Sequence, residues 1–395
     1  MIGAHIRYNS SEGWRLVREI RDTRASAHKR NRGLGAPIKL VDEFRGWAEA
    51  VEASSYPIAR VVAGSDNYPV DAAVASGTHA QKAAIGYVNQ YLLPHIVANR
   101  LTRVEVLNEP KVYNDAQMTW LCEFLYSAAE HLYNLTLNGS PFRVEAVLGN
   151  FGAGSPDQAS PVWRMARRLV EACQKFNARI GLHDYTYTPP IVQSGGTWVV
   201  DPVLLRSDPF AYRSVALTRQ FLDWGWGRAS FAITEAGFEW HANVPGSARW
   251  QETPISAEEY ARGMVRYAAS LEWPVYVFTS GDASPPWHKH GVDGTGYTQA
   301  AIEAARTTPW LEETPMTTAP AKPATPRNPA AVFGFYAAAR TLEIRHSPAG
   351  DIVQRLTGRT HWVDVFAVVD GYWRITEFKG ARPDWWIREL ALQPQ

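Results

Sequence analysis

Cysteine is nearly absent: only Cys122 and Cys173 occur in 395 residues. They lie in separate stretches of helical pattern, which excludes a disulfide framework and any Cys-x-x-Cys metal clip, so both read as buried thiols. Net charge is also nearly absent, because forty basic residues face thirty-nine acidic ones and leave +1. No overall field then draws in DNA, RNA or an anionic membrane, and the expected partner is neutral, neither nucleic acid nor membrane. No apolar run reaches membrane-spanning length, and the first nine residues lack a basic stretch followed by an apolar core. That pattern implies a leader already removed or never present, and leaves the compartment open. Two glycosylation triplets, at Asn134 and Asn138, carry little weight because such triplets arise often by chance.

What the chain does have is apolar mass and aromatics. Hydrophobic residues make up 46%, enough for a sizeable core, and the length suits one large α/β barrel with a small appendage. Sixteen Trp and seventeen Tyr are many for this length. Aromatic faces stack on sugars, although most of these rings are expected to fill the core.

Short apolar runs alternate with longer stretches of helical spacing, the layout of repeated βα units. Eight runs stand out, at residues 4–8, 38–41, 58–63, 104–108, 144–149, 180–183, 231–234 and 275–279. Amphipathic stretches at 14–20, 80–97, 118–132, 162–176, 212–222 and 257–271 separate them. Eight alternations predict a closed (β/α)8 TIM barrel, class α/β, whose active side is the C-terminal end of its strands. Two runs end abruptly in carboxylates there: Val-Glu-Val-Leu-Asn108-Glu109-Pro110 on strand four, and Phe-Ala-Ile-Thr-Glu235-Ala-Gly on strand seven. Two acids delivered across one barrel mouth suit glycosidic bond cleavage.

With these two segments the chain resembles the clan A glycoside hydrolases over roughly residues 1–310, carried by Asn108-Glu109-Pro110 after strand four and Thr234-Glu235 after strand seven. The resemblance implies a retaining glycosidase with Glu109 as general acid/base and Glu235 as nucleophile. It also implies that Asn108 hydrogen-bonds the sugar 2-hydroxyl, a contact that strengthens in an oxocarbenium-like transition state. Clan membership predicts the narrow carboxyl gap of roughly 5 to 5.5 Å rather than the about 6.5 to 9.5 Å of inverting enzymes.

Strand six adds His183-Asp184-Tyr185, in which a period of two puts His183 and Tyr185 on one face. The clan often carries a His or Tyr here, and either could donate to Glu235 and hold it ionised; the alternative is an ordinary satisfied strand residue. The clan usually places an aromatic near strand eight, and Trp287 in the loop Pro285-Pro286-Trp287-His288 is the candidate sugar platform. Two departures stand beside it. Strand eight ends in Phe278-Thr279-Ser280 without the usual tryptophan, and Lys39 sits in strand two where many members carry an arginine. The loops at residues 63–68 and 151–154 read either as sugar contacts or as plain turns. His288 and His290 lack carboxylate support for a metal, so no metal and no cofactor is expected.

After residue 311 the composition shifts to Pro, Ala and Thr, an extended linker over 312–331. Short alternating runs from 332 to 395 then predict a small all-β barrel. Leu342 to Arg345, Gly371 to Ile375 and Trp386-Ile387 resemble the bacterial SH3-like domain. That resemblance implies binding to cell-wall peptide or glycan, which would tether the barrel, residues 1–311, to its substrate. A structural cap is the other reading. For the whole chain, a retaining glycoside hydrolase of a polysaccharide or cell-envelope glycan stands against a non-catalytic glycan- or wall-binding protein on a barrel scaffold.

Overall fold

The computed structural model describes residues 2–7, 10–21, 36–66, 68–239, 246–281 and 287–308, together with the backbone of six strands beyond residue 332. The chain divides into two compact units, Met1–Glu313 and Thr314–Gln395. The expected linker at 312–331 lies outside the described residues.

The first unit is an eight-stranded, closed, all-parallel barrel with helices between its strands, a TIM barrel. Its strands are β1 (Ile2–Arg7), β2 (Ile38–Val41), β3 (Pro57–Arg60), β4 (Arg103–Val106), β5 (Glu145–Phe151), β6 (Arg179–Thr186), β7 (Phe231–Phe238) and β8 (Val275–Ser280). Each pairs with its sequence neighbour, and β1 closes on β8 through Ile2 opposite Val275. Such strands are covered on both faces, which is why they read as apolar runs rather than as clean alternation.

The helices form where apolar spacing meets a proper start signal. Asn114 caps the helix Asp115–Tyr133 by accepting the Gln117 amide at 3.0 Å, and Met118, Leu121, Cys122 and Leu125 lie on its buried face. Ser256 caps Ala257–Ala269 in the same way, with Glu258 and Glu259 in the first turn and Arg266 in the last, matching the helix dipole at both ends. Most of the apolar core lies between these helices and the outer face of the barrel.

Inside the barrel the filling changes with height. A small cluster of Tyr56, Ile58, Val147, Ala232 and Tyr276 plugs the lower end. The Tyr56 ring there is sandwiched between the guanidinium groups of Arg103 and Arg179, at 3.5 and 3.9 Å from its centroid. Above the plug the interior is ionic, built from His5, Lys39, Arg60 and Glu105, one charged or polar residue from each of the first four strands. The upper layer is the candidate site.

The second unit has six antiparallel strands: β9 (Phe333–Ala337), β10 (Thr341–Arg345), β11 (Ile352–Thr357), β12 (His361–Val369), β13 (Tyr372–Glu377) and β14 (Trp385–Arg388). They form one sheet in the order β9-β12-β13-β14-β10-β11. Among the described residues, no helix is long and apolar enough to cross a membrane.

Candidate active site

Two irregularities in otherwise regular strands create the site. The first is the turn that leaves β4. Leu107 and Glu109 have φ of 62° and 48°, and Asn150, beside them on β5, has 40°. Each left-handed non-glycine residue costs on the order of 1–3 kcal/mol and persists only where its surroundings over-determine it. Here they do. The Asn150 side-chain amide donates to the Leu107 carbonyl at 2.7 Å, the Glu109 amide donates to the Asn150 carbonyl at 3.1 Å, and the Asn108 amide donates to the Ser65 carbonyl at 3.0 Å. Gly181 on β6 leaves room for Asn150, since a Cβ there would meet Asn150 Oδ1 at 2.1 Å. The outcome is a Glu109 side chain that projects from the mouth and is 50% exposed.

The second irregularity is a bulge in β7. Ile233 pairs with Leu182 but Glu235 with His183, so Thr234 is an extra residue. A bulge re-aims every side chain beyond it. With this one, Glu235 shares the inner face with His183 and Tyr185 instead of turning toward the helices with Asp184.

Glu235 is buried and ringed by donors. Arg60 Nη1 lies 2.8 Å and Lys39 Nζ 3.2 Å from Oε1, and the Tyr185 hydroxyl donates to Oε2 at 2.9 Å. Burial alone would push this carboxyl up, but His183, Lys39, Arg60 and His5 outweigh it and hold Glu235 well below the ordinary carboxylate range. Burial, followed by Lys39, keeps the His5 imidazole well below its usual value. Burial and the adjacent Glu235 push the Tyr185 phenol far up, so it stays a donor.

The two cations are themselves balanced. Lys39, with no exposed side-chain surface, pairs with Glu105 at 2.9 Å, and Arg60 reaches Asp66 at 2.7 Å and Glu105 at 3.9 Å. Lys39, Arg60, Glu105 and Glu235 thus alternate in sign around a square. Buried charges of this kind are tolerated only when each meets an opposite partner.

His183 links the two acids. Its Nδ1 lies 2.8 Å from Glu109 Oε1 and 3.6 Å from Glu235 Oε2. Because both neighbours are carboxylate oxygens, Nδ1 carries the hydrogen whenever Glu109 is ionised. The nearest oxygens of Glu109 and Glu235 are therefore no further apart than these two distances laid end to end. Asn108 lies buried next to Glu109, and its Oδ1 has no hydrogen-bond partner among the described residues.

Of the residues singled out in the sequence, Glu109, Glu235, Asn108, His183 and Tyr185 lie together at the mouth. Tyr185 contacts Glu235, whereas the nearest acid to His183 is Glu109. Trp287 begins a short 3-10 turn, Trp287–Lys289, but its side chain lies outside the described residues, as does Asn67. Next to that turn, His290 is buried against the rings of Phe278 and Tyr185, at 5.3 and 6.5 Å, with Arg249 Nε at 3.1 Å and Glu239 Oε2 at 3.3 Å. Among the described residues no group of three or more side chains is arranged to hold a metal. The arginine missing from strand two has a counterpart next door, because Arg60 of β3 supplies a guanidinium to Glu235. Arg60, His5, Glu105 and Asn150 were not singled out in the sequence. Their signal was a polar or charged residue inside or at the end of an apolar strand, as in Pro-Ile-Ala-Arg60 and Val-Glu105-Val.

No family profile and no curated protein matches the chain in sequence. Among solved structures it is similar to an endo-β-mannanase/endo-β-glucanase of Prevotella bryantii, with 11% identity, a TM-score of 0.40, and 69% of this chain and 42% of that chain covered. A β-glucuronidase of Ruminococcus gnavus gives 12%, 0.42, 77% and 50%. A Bacteroides ovatus GH5 xyloglucanase in complex with a XXXG heptasaccharide gives 11%, 0.37, 77% and 74%. The chain therefore spans half or less of the length of the first two.

Proposed function

We propose that the chain is a retaining glycoside hydrolase of the clan A type. The observation that carries this reading is the pair of carboxylates at 2.8 and 3.6 Å from one histidine nitrogen, one half exposed and the other buried among cations. The unequal surroundings match the unequal roles.

In the first step a Glu235 oxygen attacks the anomeric carbon as the glycosidic C–O bond breaks, and the Glu109 proton passes to the departing oxygen. In the second, Glu109 takes a proton from water, the water oxygen bonds the anomeric carbon, and Glu235 leaves as the free carboxylate. Arg60, Lys39 and Tyr185 keep Glu235 ionised and aimed. Asn108, on the same turn as Glu109, is placed to meet the sugar 2-hydroxyl, where a strengthening hydrogen bond stabilises the transition state.

The substrate class we propose is a polysaccharide or cell-envelope glycan. The six-stranded unit is read as an SH3-like module that holds the barrel near that substrate and raises its local concentration. Proton NMR of the first-formed sugar tests the mechanism: the anomer of the substrate should appear first, with Glu235→Gln inactive. An initially inverted anomer, or full activity in Glu235→Gln, overturns it.

A further inference from the structure

Resting on the assignment of Glu109 as proton donor, the geometry points to Arg213 as the positioning residue of that donor, gripping through one guanidinium nitrogen two residues that meet Glu109 Oε1. Arg213 opens the helix Arg213–Asp223 and has no exposed surface. Its Nη1 donates to the carbonyls of Phe151 at 3.0 Å, Gly152 at 3.0 Å and His183 at 3.1 Å, and its Nη2 donates to the Pro156 carbonyl at 3.1 Å. β5 ends at Phe151 and β6 runs through His183. One helical side chain thus joins the chain leaving β5 to the neighbouring strand.

The residues so gripped are ones that touch the acid. A Cβ on Gly152 would meet Glu109 Oε1 at 3.0 Å, and His183 Nδ1 lies 2.8 Å from the same oxygen. Phe151 follows Asn150, which holds the left-handed turn of Glu109 through its own carbonyl and side-chain amide. Glu109 is half exposed, so its carboxyl is aimed by these neighbours rather than by enclosure. Burying a guanidinium costs free energy unless an opposite charge and hydrogen bonds offset it. Asp184 supplies the charge, while Arg213 Nε has no partner among the described residues. What the arrangement provides is rigidity. A planar fork fixes several acceptors relative to one another, which the single ammonium of a lysine cannot do. Movement of the guanidinium therefore shifts Gly152 and His183 together, and with them the oxygen that both meet.

The test separates leaving groups that need a proton from those that do not. A dinitrophenolate departs unaided, whereas a phenolate calls on the acid, and kcat/KM reports the step in which either one leaves. Phenyl and 2,4-dinitrophenyl β-glycosides of cellobiose, mannobiose and xylobiose are assayed in pairs. In Arg213→Lys, which keeps the charge but not the fork, we expect the phenyl to dinitrophenyl ratio of kcat/KM to fall about tenfold. A residue that only stabilises the loops lowers both members alike, so a ratio within twofold of the unaltered chain overturns the inference. Gly152→Ala keeps the guanidinium and presses the peptide it holds onto Glu109. It decides the question if Arg213→Lys does not fold: the same selective loss upholds the clamp, and an equal loss on both substrates overturns it. If the unaltered chain cleaves none of these pairs, or Glu109→Ala leaves the ratio unchanged, the assignment of Glu109 fails separately. The His183 Nδ1 proton then decides the clamp in nitrogen-15 histidine spectra, where Glu109→Gln marks the resonance that depends on their contact. An upfield shift of that resonance in Arg213→Lys upholds the clamp, and an unmoved one overturns it.

Discussion

Arg60 reaches from the end of β3 to Glu235 on β7 and places Nη1 2.8 Å from Oε1, so an arginine on one strand holds the charge of an acid four strands away around the barrel. The depressed Glu235 value contributes stability that is present above the ordinary glutamate pKa of about 4.3 and is lost as pH falls through the lower folded value. The acid limb of kcat/KM for the unaltered chain should lie below that ordinary value. Arg60→Met should move the limb upward by about 1 to 3 pH units and, by leaving a buried negative charge short of a partner, destabilise the fold by about 3–5 kcal/mol. Paired pH–rate profiles and denaturant titrations measure both.

Asn150 ties the left-handed turn of Glu109 to β5 through its side-chain amide and its carbonyl. Asn150→Ala removes the side-chain bond to Leu107 and should cost about 1–3 kcal/mol of stability. A shift of the acid by about 1 Å also predicts a loss of up to about 10²-fold in kcat. Gly181→Ala, whose new Cβ would press on Asn150 Oδ1, should reproduce the kinetic defect although residue 181 touches no substrate. Thermal melts together with steady-state assays check this.

Asp184 faces away from the site and accepts the Tyr267 hydroxyl at 2.5 Å. Burial raises its carboxyl to about 6, with Arg213 and Tyr267 pulling the other way. A raised acid contributes stability that is complete below the unfolded value of about 3.9 and is lost as pH climbs through about 6. Asp184→Asn, which keeps an acceptor for Tyr267, should flatten the stability profile between about pH 4 and 6 and raise stability at pH 7 by about 1–3 kcal/mol. Melting temperature against pH for the two chains reads this out.

The barrel was legible because a parallel strand buried on both faces must be an apolar run, and eight such runs separated by helical spacing admit few other folds. Glu109 and Glu235 were legible for the same reason, each being a carboxylate where such a run stops. The extent of β7 was not, since the strand continues through Glu235-Ala-Gly-Phe238, past the carboxylate and the glycine that mark the end of the apolar run. The bulge at Thr234 has no composition signal. It exists only as a mismatch of register between two strands, yet it decides which way Glu235 faces. Lys39, Arg60 and Glu105 each look like a lone charge in a strand, and nothing in their spacing tells that the three converge with Glu235, because convergence is a property of closure. The six-stranded unit was expected as short β runs, and its sheet order is seen only in the backbone.

Trapping the covalent intermediate tests the account most directly. Activated 2-deoxy-2-fluoro glycosides of glucose, mannose and xylose slow both steps but, with a good leaving group, slow the second more, so a glycosyl ester should accumulate. Mass spectrometry of the digested protein should then find one added sugar on the peptide that carries Glu235, and none in Glu235→Gln. A sugar attached to any other residue, or turnover of the parent glycosides with no adduct, would contradict the assignment of Glu235 as the nucleophile.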